Sequence, residues 1–412
     1  MANTLKFGAG EWATKKGSTL AYNSENGNFK PLPFTFDRST SATRVNKEGL
    51  IEVVSNNEPR IDFLNDSKGA LLLEPSRSNL LTYSEDFSDA SWTKTRVTVT
   101  QNNVVSPDGA LNADKITETS DNGLHAIYAN TTVTSGVSYT FSVLIKKGSS
   151  NFIQFCFGTN NVIGNPYVNF DVNQGIYQNN GVTSANIENY GNGWYRCSAT
   201  YVTATTSFTN YICQIQSISD SRASSFTGNV NNNIYIYGAQ LEQGSYATSY
   251  IPTQGSIGTR VAESCEQTPP SGIINSSEGV LYLDLKTSEN DTVQQIALTD
   301  GTIDERILLE IRNGGTLLTY YVIQGGVAEA IIAIPISAGV YNKVALSYKT
   351  NEAKIYVNGV LEGTDVVVTP PTGLDTISFN GSTGSLNVYI SLKDLRVYNQ
   401  VLTDAELQAL TS

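Results

Sequence analysis

The sequence predicts an all-β protein, with two β-sandwiches in series behind an extended N-terminal arm and a connector. Three observations predict it. Charged residues make up only 16% of the 412 residues, below the roughly 25% of an average domain. Asn, Ser, Thr and 34 Gly fill the difference, and 22 Tyr outnumber 14 Phe, which is the composition of sheets joined by polar turns. Apolar residues alternate with period two in runs that recur at intervals of roughly 10–15 residues, as in a sandwich. Finally, Pro269 and Pro270 separate two such blocks, and a single core stops growing at about 250 residues.

Residues 1–35 are rich in Gly, Asn and Lys without a sustained period, and read as an extended arm. Residues 36–90 hold short runs such as Ala42-Thr-Arg-Val45, Leu50-Ile-Glu-Val-Val54 and Ala70-Leu-Leu-Leu-Glu74. Polar connections ending in Gly49 and Gly69 separate them, as tight turns require. Pieces this short bury little alone, so this connector is expected to dock on a partner chain or on the following domain. From 91 to 252 the strand signal is strong: Tyr139, Phe141, Val143 and Ile145 share one face, and Trp194–Val202 and Asn233–Glu242 repeat the pattern. Residues 253–278 read as a linker stiffened by the proline pair. A second β-domain runs over 279–412, with Asn358-Gly359 as a two-residue hairpin turn. It ends in one short helix, announced by Thr403 and by Glu406 at the capping-box position. Thr43-Arg-Val45 and Thr259-Arg-Val261 echo each other and suggest similar docking at two joints.

Composition excludes several function classes. With 26 Lys and Arg against 38 Asp and Glu, the net charge is −12, whereas nucleic-acid binding needs a basic surface. No apolar run reaches the length of about 18 residues that a membrane-spanning helix needs, and Met1–Phe7 lacks the apolar core of a secretion signal. The single His makes a His-rich zinc site impossible, and a catalytic triad could use only His125. That residue has no acid beside it in Gly123-Leu-His-Ala-Ile-Tyr128 and reads as structural. Cys156, Cys197, Cys213 and Cys265 show no CxxC spacing; they read as reduced thiols packed on strands.

Three stretches carry a resemblance. Phe34–Glu52, continuing through Pro59–Asp62 to Leu71–Glu85, resembles a module of tailed-phage fibre and appendage proteins. Ala239-Gln-Leu-Glu-Gln-Gly-Ser-Tyr-Ala-Thr-Ser-Tyr-Ile-Pro-Thr253, followed by Gly258–Ala262, resembles the close of the jelly-roll that follows that module, a fold similar to carbohydrate-binding modules. Tyr356-Val-Asn-Gly359 with Leu392–Leu407 is similar to the end of laminin-G-like, concanavalin A-like lectin domains. The resemblance implies a jelly-roll and then a concanavalin A-like sandwich.

No Glu-x-Asp-x-x-Glu run of the kind that fold's glycosidases carry is present; Asp284 and Glu310 stand alone, so no catalytic residue and no enzyme activity are expected. Sugar binding asks for flat aromatic faces beside amide groups. Trp92, Trp194, Tyr167, Tyr177, Tyr190 and Tyr211 lie among Asn-rich loops. Trp194 reads as core, and the chosen glycan-binding candidates are Tyr190, Tyr177, Asn179 and Asn180. No cofactor is expected; a structural calcium is allowed for through Asp171, Asp220, Asp284, Asp365 or Asp375, none in a paired motif. The expectation is a virion structural protein assembled in the host cytoplasm, a phage head or tail fibre or appendage subunit. Its partners would be itself as a homotrimer, virion proteins through the N-terminal region, and host surface glycans, without nucleic acid or membrane insertion. The alternatives are a tailspike-type polysaccharide-degrading enzyme and a bacterial surface adhesin.

Overall fold

A computed structural model describes residues 4–23, 30–269, 271–288, 292–381 and 386–412; Pro270 of the expected linker lies outside them. The chain is nearly all β, with one described helix, Asp404–Thr411. Thr403 caps that helix in a capping box with Glu406. Two compact units emerge. One comprises residues 1–41, 54–76 and 261–412, and the other residues 42–53 and 77–260.

The first unit is a β-sandwich of two antiparallel layers. One layer runs through Val360–Asp365, Glu352–Val357, Tyr341–Lys349, Glu278–Thr287 and Ile390–Tyr398. The other runs through Val327–Pro335, Leu317–Gln324, Arg306–Arg312, Gln294–Thr299, Thr376–Ser378, Ser264–Gln267 and Lys30–Asp37. Alternating residues of both layers, such as Leu281, Leu283, Leu309, Tyr320, Val322 and Leu346, meet in one core. At the hairpin after Val357, Asn358 and Gly359 both take positive φ (48° and 82°), as a two-residue turn of this hand requires.

The N-terminal residues correct the sequence reading. The described residues of 1–35 do not form an extended arm: Leu5–Gly8 pairs with Asp394–Val397, and the end of Lys30–Asp37 pairs with Ser264, Cys265 and Glu266 of Ser264–Gln267. Leu5, Phe7 and Phe34 are fully buried in the same core, with Phe7 stacked on Phe34 at 4.4 Å. From the connector, Ala70–Leu73 adds to Ile390–Leu392. Of the two expected docking partners, another chain or a following domain, the described segments take the domain of their own chain. Their short apolar runs become stable as extra strands of an existing sandwich.

A buried ionic network fastens three of these stretches. The Glu263 side chain is fully buried and takes Arg38 Nη1 at 2.8 Å. It also accepts Arg60 Nε at 2.7 Å, Arg60 Nη2, and the backbone N–H of Glu74 at 2.9 Å. Arg60 reaches Glu74 as well, at 2.9 Å. The remaining Arg38 donors meet the carbonyls of Thr40, Ser55 and Glu58. Burial opposes the Arg60 charge, but Glu263 and Glu74 outweigh it and hold the guanidinium protonated.

The second unit is a jelly-roll of two antiparallel six-stranded sheets. The first has the order Trp92–Thr95, His125–Thr132, Ser207–Gln214, Phe152–Phe157, Tyr167–Asp171 and Ile176–Asn180. The second has the order Val97–Val105, Leu111–Glu118, Asn233–Gln243, Ser138–Lys147, Trp194–Val202 and Ser184–Asn189. Phe141, Val143, Ile145, Phe155, Phe170 and Ile236 interdigitate between them. The closing segment forms a buried clamp. Gln240 donates to Glu242 (2.6 Å) and accepts the Ile251 N–H (2.7 Å). Glu242 also accepts from the Thr248 N–H and hydroxyl (2.9 and 2.6 Å). Asn79 Nδ2 bridges the carbonyls of Ala239 and Ile251. The Thr-Arg-Val echo has no common role: half-exposed Arg44 pairs with Glu52 at 2.7 Å, whereas buried Arg260 donates to Ser249 Oγ at 2.8 Å.

Replacing Glu263 by Gln removes the buried carboxylate that Arg38 and Arg60 share and leaves Arg60 with Glu74 alone, which costs about 3–5 kcal/mol. Calorimetry of Glu263→Gln should show a correspondingly lowered transition, while Arg44→Ala, breaking a half-exposed pair, shifts stability by less than about 1 kcal/mol. Equal, small effects of the two substitutions would show that this network does not hold the unit together.

Candidate functional site

The first sheet of the jelly-roll turns one face to the core and the other away from it. Period-two alternation sends Ile127, Ala129, Ile153, Phe155, Val168, Phe170 and Ile212 inward. The opposite set includes Tyr128, Tyr211, Cys156 and Tyr167. Strand register lines these up: Thr93 lies opposite Tyr128, Tyr128 opposite Tyr211, Tyr211 opposite Cys156, and Cys156 opposite Tyr167. A row of three half-buried tyrosines thus crosses four neighbouring strands, with buried Cys156 between the second and third. The Tyr128 and Tyr211 rings lie 4.6 Å apart at 39°. None of the three hydroxyls hydrogen-bonds another described residue, and burial pushes the Tyr211 phenol above its ordinary range, so it stays protonated at neutral pH.

Polar groups flank the row. On one side, Thr209 Oγ1 donates to Asn130 Oδ1 at 2.7 Å. On the other, Gln154 and Asn169 are bonded to each other (2.8 Å). Both also bond to the backbone of the loop that follows Ile215, at Ile218, Asp220, Ser221 and Ala223. Arg222 in that loop is anchored on the Phe157 carbonyl, and its charge faces Tyr211. Aromatic faces that combine an apolar ring with a polar tip, set beside Asn130, Thr209 and one cation, can take a flat ligand with hydroxyls around its rim.

The residues expected from sequence fall elsewhere. Tyr190 is only 9% exposed; its N–H bonds the Trp194 carbonyl, closing the Gly191–Gly193 turn, and its hydroxyl serves buried Arg196. It therefore offers no stacking face. Tyr177 is 43% exposed but sits on the edge strand opposite Phe170 and leans on that ring, away from the tyrosine row. Asn179 is spent on its own turn, accepting the N–H groups of Gly181 and Val182 and donating to the Val182 carbonyl. Asn180 bonds the Gln178 carbonyl. Trp92 and Trp194 are buried, with indole N–H groups bonded to the Tyr83 and Val105 carbonyls. His125 is fully buried, stacked on Phe226 and bonded to the Thr119 carbonyl. Tyr128 was missed: its alternation with Ile127 and Ala129 gives the face, but only the register gives its neighbours.

The sandwich of the first unit carries a separate cleft of about 740 Å³. Asp284 and Asp394 stand directly opposite each other on its lining strands. Asp284, read from sequence as solitary, thus has a carboxylate neighbour. Arg396 binds Asp394 Oδ2 at 2.6 Å, while Oδ1 has no partner among the described residues. Burial raises the pKa of both carboxyls; for Asp284 the nearby Lys393 and Lys343 oppose that shift, and for Asp394 the Arg396 hydrogen bond does. Among the described residues no three His, Cys, Asp or Glu side chains gather as a metal site.

Residues 281–408 match the family model described as the concanavalin A-like lectin/glucanases superfamily. No curated protein matches the chain. Among solved structures, the chain is similar to the CBM40 of the Ruminococcus gnavus IT-sialidase bound to alpha2,3 sialyllactose, with 24% identity, TM-score 0.29, and coverage of 34% of this chain and 84% of that one. Domain 4 of AbnA, a GH43 extracellular arabinanase from Geobacillus stearothermophilus in complex with arabinotriose, shows 16% identity, TM-score 0.29, and coverage of 41% and 82%. Domains LG4-5 of the mouse laminin alpha1 chain show 13% identity, TM-score 0.25, and coverage of 68% and 86%. What the family match establishes is the class of the C-terminal sandwich, residues 281–408, as concanavalin A-like.

Proposed function

We propose that this chain is a glycan-binding subunit of a phage fibre or appendage, attached to the particle through its N-terminal region. The observation that carries glycan binding is the row of half-exposed Tyr128, Tyr211 and Tyr167 on the sheet face turned away from the core. Support for the appendage comes from the resemblance of residues 34–85 and 239–262 to that class of protein. An open platform binds one sugar chain weakly, so several copies, a trimer in the simplest case, supply avidity. A net charge of −12 repels acidic polymers over distance, which favours neutral sugars.

A glycan array with the assembled protein tests this. Tyr211→Ala and Tyr128→Ala should each weaken retention about tenfold, equivalent to roughly 1.4 kcal/mol, while Tyr177→Ala retains it. Unchanged retention in both row variants, or no retained glycan at all, contradicts the reading.

A second reading, polysaccharide cleavage, is favoured by Asp284 facing Asp394. Directly opposed residues hold their Cβ atoms about 5 Å apart, near the roughly 5–5.5 Å carboxyl separation of retaining glycosidases. Release of reducing ends that Asp284→Asn abolishes would support it; none from the wild type favours binding alone. The raised carboxyl pKa values have their own signature. The folded state holds these protons more tightly than the unfolded chain, so their stabilising contribution is full below the unfolded value near 4 and is lost as pH rises through the folded one. Asp284→Asn should therefore raise Tm at pH 7, with the gain shrinking toward pH 3. A gain that grows on acidification would mean that Asp284 is stabilised as the anion.

A further inference from the structure

Cys156 and Cys213 sit on neighbouring strands beneath the tyrosine row. Cys156 lies opposite Tyr211 and Cys213 opposite Gln154, so the two cysteines are diagonal neighbours on one face. Their Sγ atoms are 3.5 Å apart, both side chains are buried, and neither is in a disulfide. Diagonal neighbours stand about 7–8 Å apart, farther than directly opposed ones. The side chains lean together to an Sγ separation of 3.5 Å, which brings the pair within reach, and closing the bond to about 2.05 Å draws the two strands slightly together. The other two cysteines have no such partner: Cys197 packs in the jelly-roll core and Cys265 in the core of the other unit.

We propose that Cys156 and Cys213 are an oxidative modification site, at which a peroxide converts the pair into a cross-strand disulfide under the tyrosine row. Cys156 is the attacking sulfur. The two thiols share a hydrogen bond in which either sulfur can donate; with Cys213 donating, that bond lowers the Cys156 pKa and raises that of Cys213, while the Arg222 charge favours the thiolate at both. The thiolate is the nucleophile in such exchange. The Cys156 thiolate attacks one oxygen of hydrogen peroxide, breaking the O–O bond. The departing hydroxide takes up the thiol's proton as water, leaving a sulfenic acid. Cys213 then attacks that sulfur and expels the second oxygen, which leaves as water with the Cys213 proton. Two thiols and one peroxide thus give one disulfide and two waters. Both sulfurs are closed to solvent, with the Tyr211 and Tyr167 rings packed against them, so the peroxide reaches Cys156 when those rings swing apart. The bond fixes Phe152–Phe157 to Ser207–Gln214, the strand pair that positions Tyr211.

The test treats the reduced, folded protein with hydrogen peroxide, alkylates the remaining thiols after unfolding, and maps the unreduced peptides by mass spectrometry. The expected result is a fall from four alkylated cysteines to two, a loss of the mass of two hydrogens, and one cross-linked pair containing Cys156 and Cys213. In Cys156→Ser, which retains three cysteines, no cross-link should form. Four alkylated cysteines after peroxide, a link through Cys197 or Cys265, or sulfinic acid at Cys156 in place of the cross-link would overturn the proposal. The wild-type map decides the matter even if the variant does not fold.

Discussion

Glu263 is a carboxylate with no access to water, held by two guanidiniums and a backbone N–H. An ion taken out of water costs several kcal/mol unless paired and hydrogen-bonded, so each partner must arrive for the others to be tolerated. Those partners come from distant parts of the chain: Arg38 from the end of the Lys30–Asp37 strand, Arg60 and Glu74 from either side of Ile61–Leu73. The network is therefore a register device. It fixes where the N-terminal strands join the C-terminal sandwich, and with them the Leu5, Phe7 and Phe34 side chains that fill one end of its core. The cleft with Asp284 and Asp394 inherits that arrangement, since residues 9, 10 and 66–69 form part of its wall.

The jelly-roll uses a similar device with mostly neutral partners. Gln240, Glu242 and Thr248 satisfy one another inside the unit, with Arg77 3.8 Å from Glu242, while Asn79 satisfies nearby backbone groups, and little of them reaches the surface. The segment through which residues 239–253 resemble a known module is thus explained by folding chemistry rather than by ligand contact. The binding chemistry we propose lies instead on the sheet face that the core does not claim, where tyrosines replace the Val, Ile and Phe of the inner face. This division suits a protein that keeps one scaffold while presenting a ligand surface.

Much of this was legible in the sequence. Period two placed Tyr139, Phe141, Val143 and Ile145 on one face, and all four are buried. Asn358-Gly359 announced its hairpin and Thr403 with Glu406 announced the helix, because turn and cap chemistry acts between residues close in sequence. Pairing partners were not legible. Alternation tells which face a residue takes but not which strand lies beside it, so the joining of Leu5–Gly8 to Asp394–Val397, the opposition of Asp284 to Asp394, and the Tyr128–Tyr211–Tyr167 row all stayed hidden. Tyr190 was misplaced for a related reason. A Gly-Asn-Gly turn marks a surface loop, yet the flanking ring can still fold inward to serve a buried arginine.

The central claim is that the tyrosine row is where a saccharide rests. A crystal structure of the protein with an oligosaccharide retained on an array tests it most directly. The account predicts a sugar ring lying against Tyr128 and Tyr211, with its hydroxyls reaching Asn130, Thr209 or Arg222. A sugar seated instead in the Asp284–Asp394 cleft or beside Tyr177, with the row empty, would contradict it.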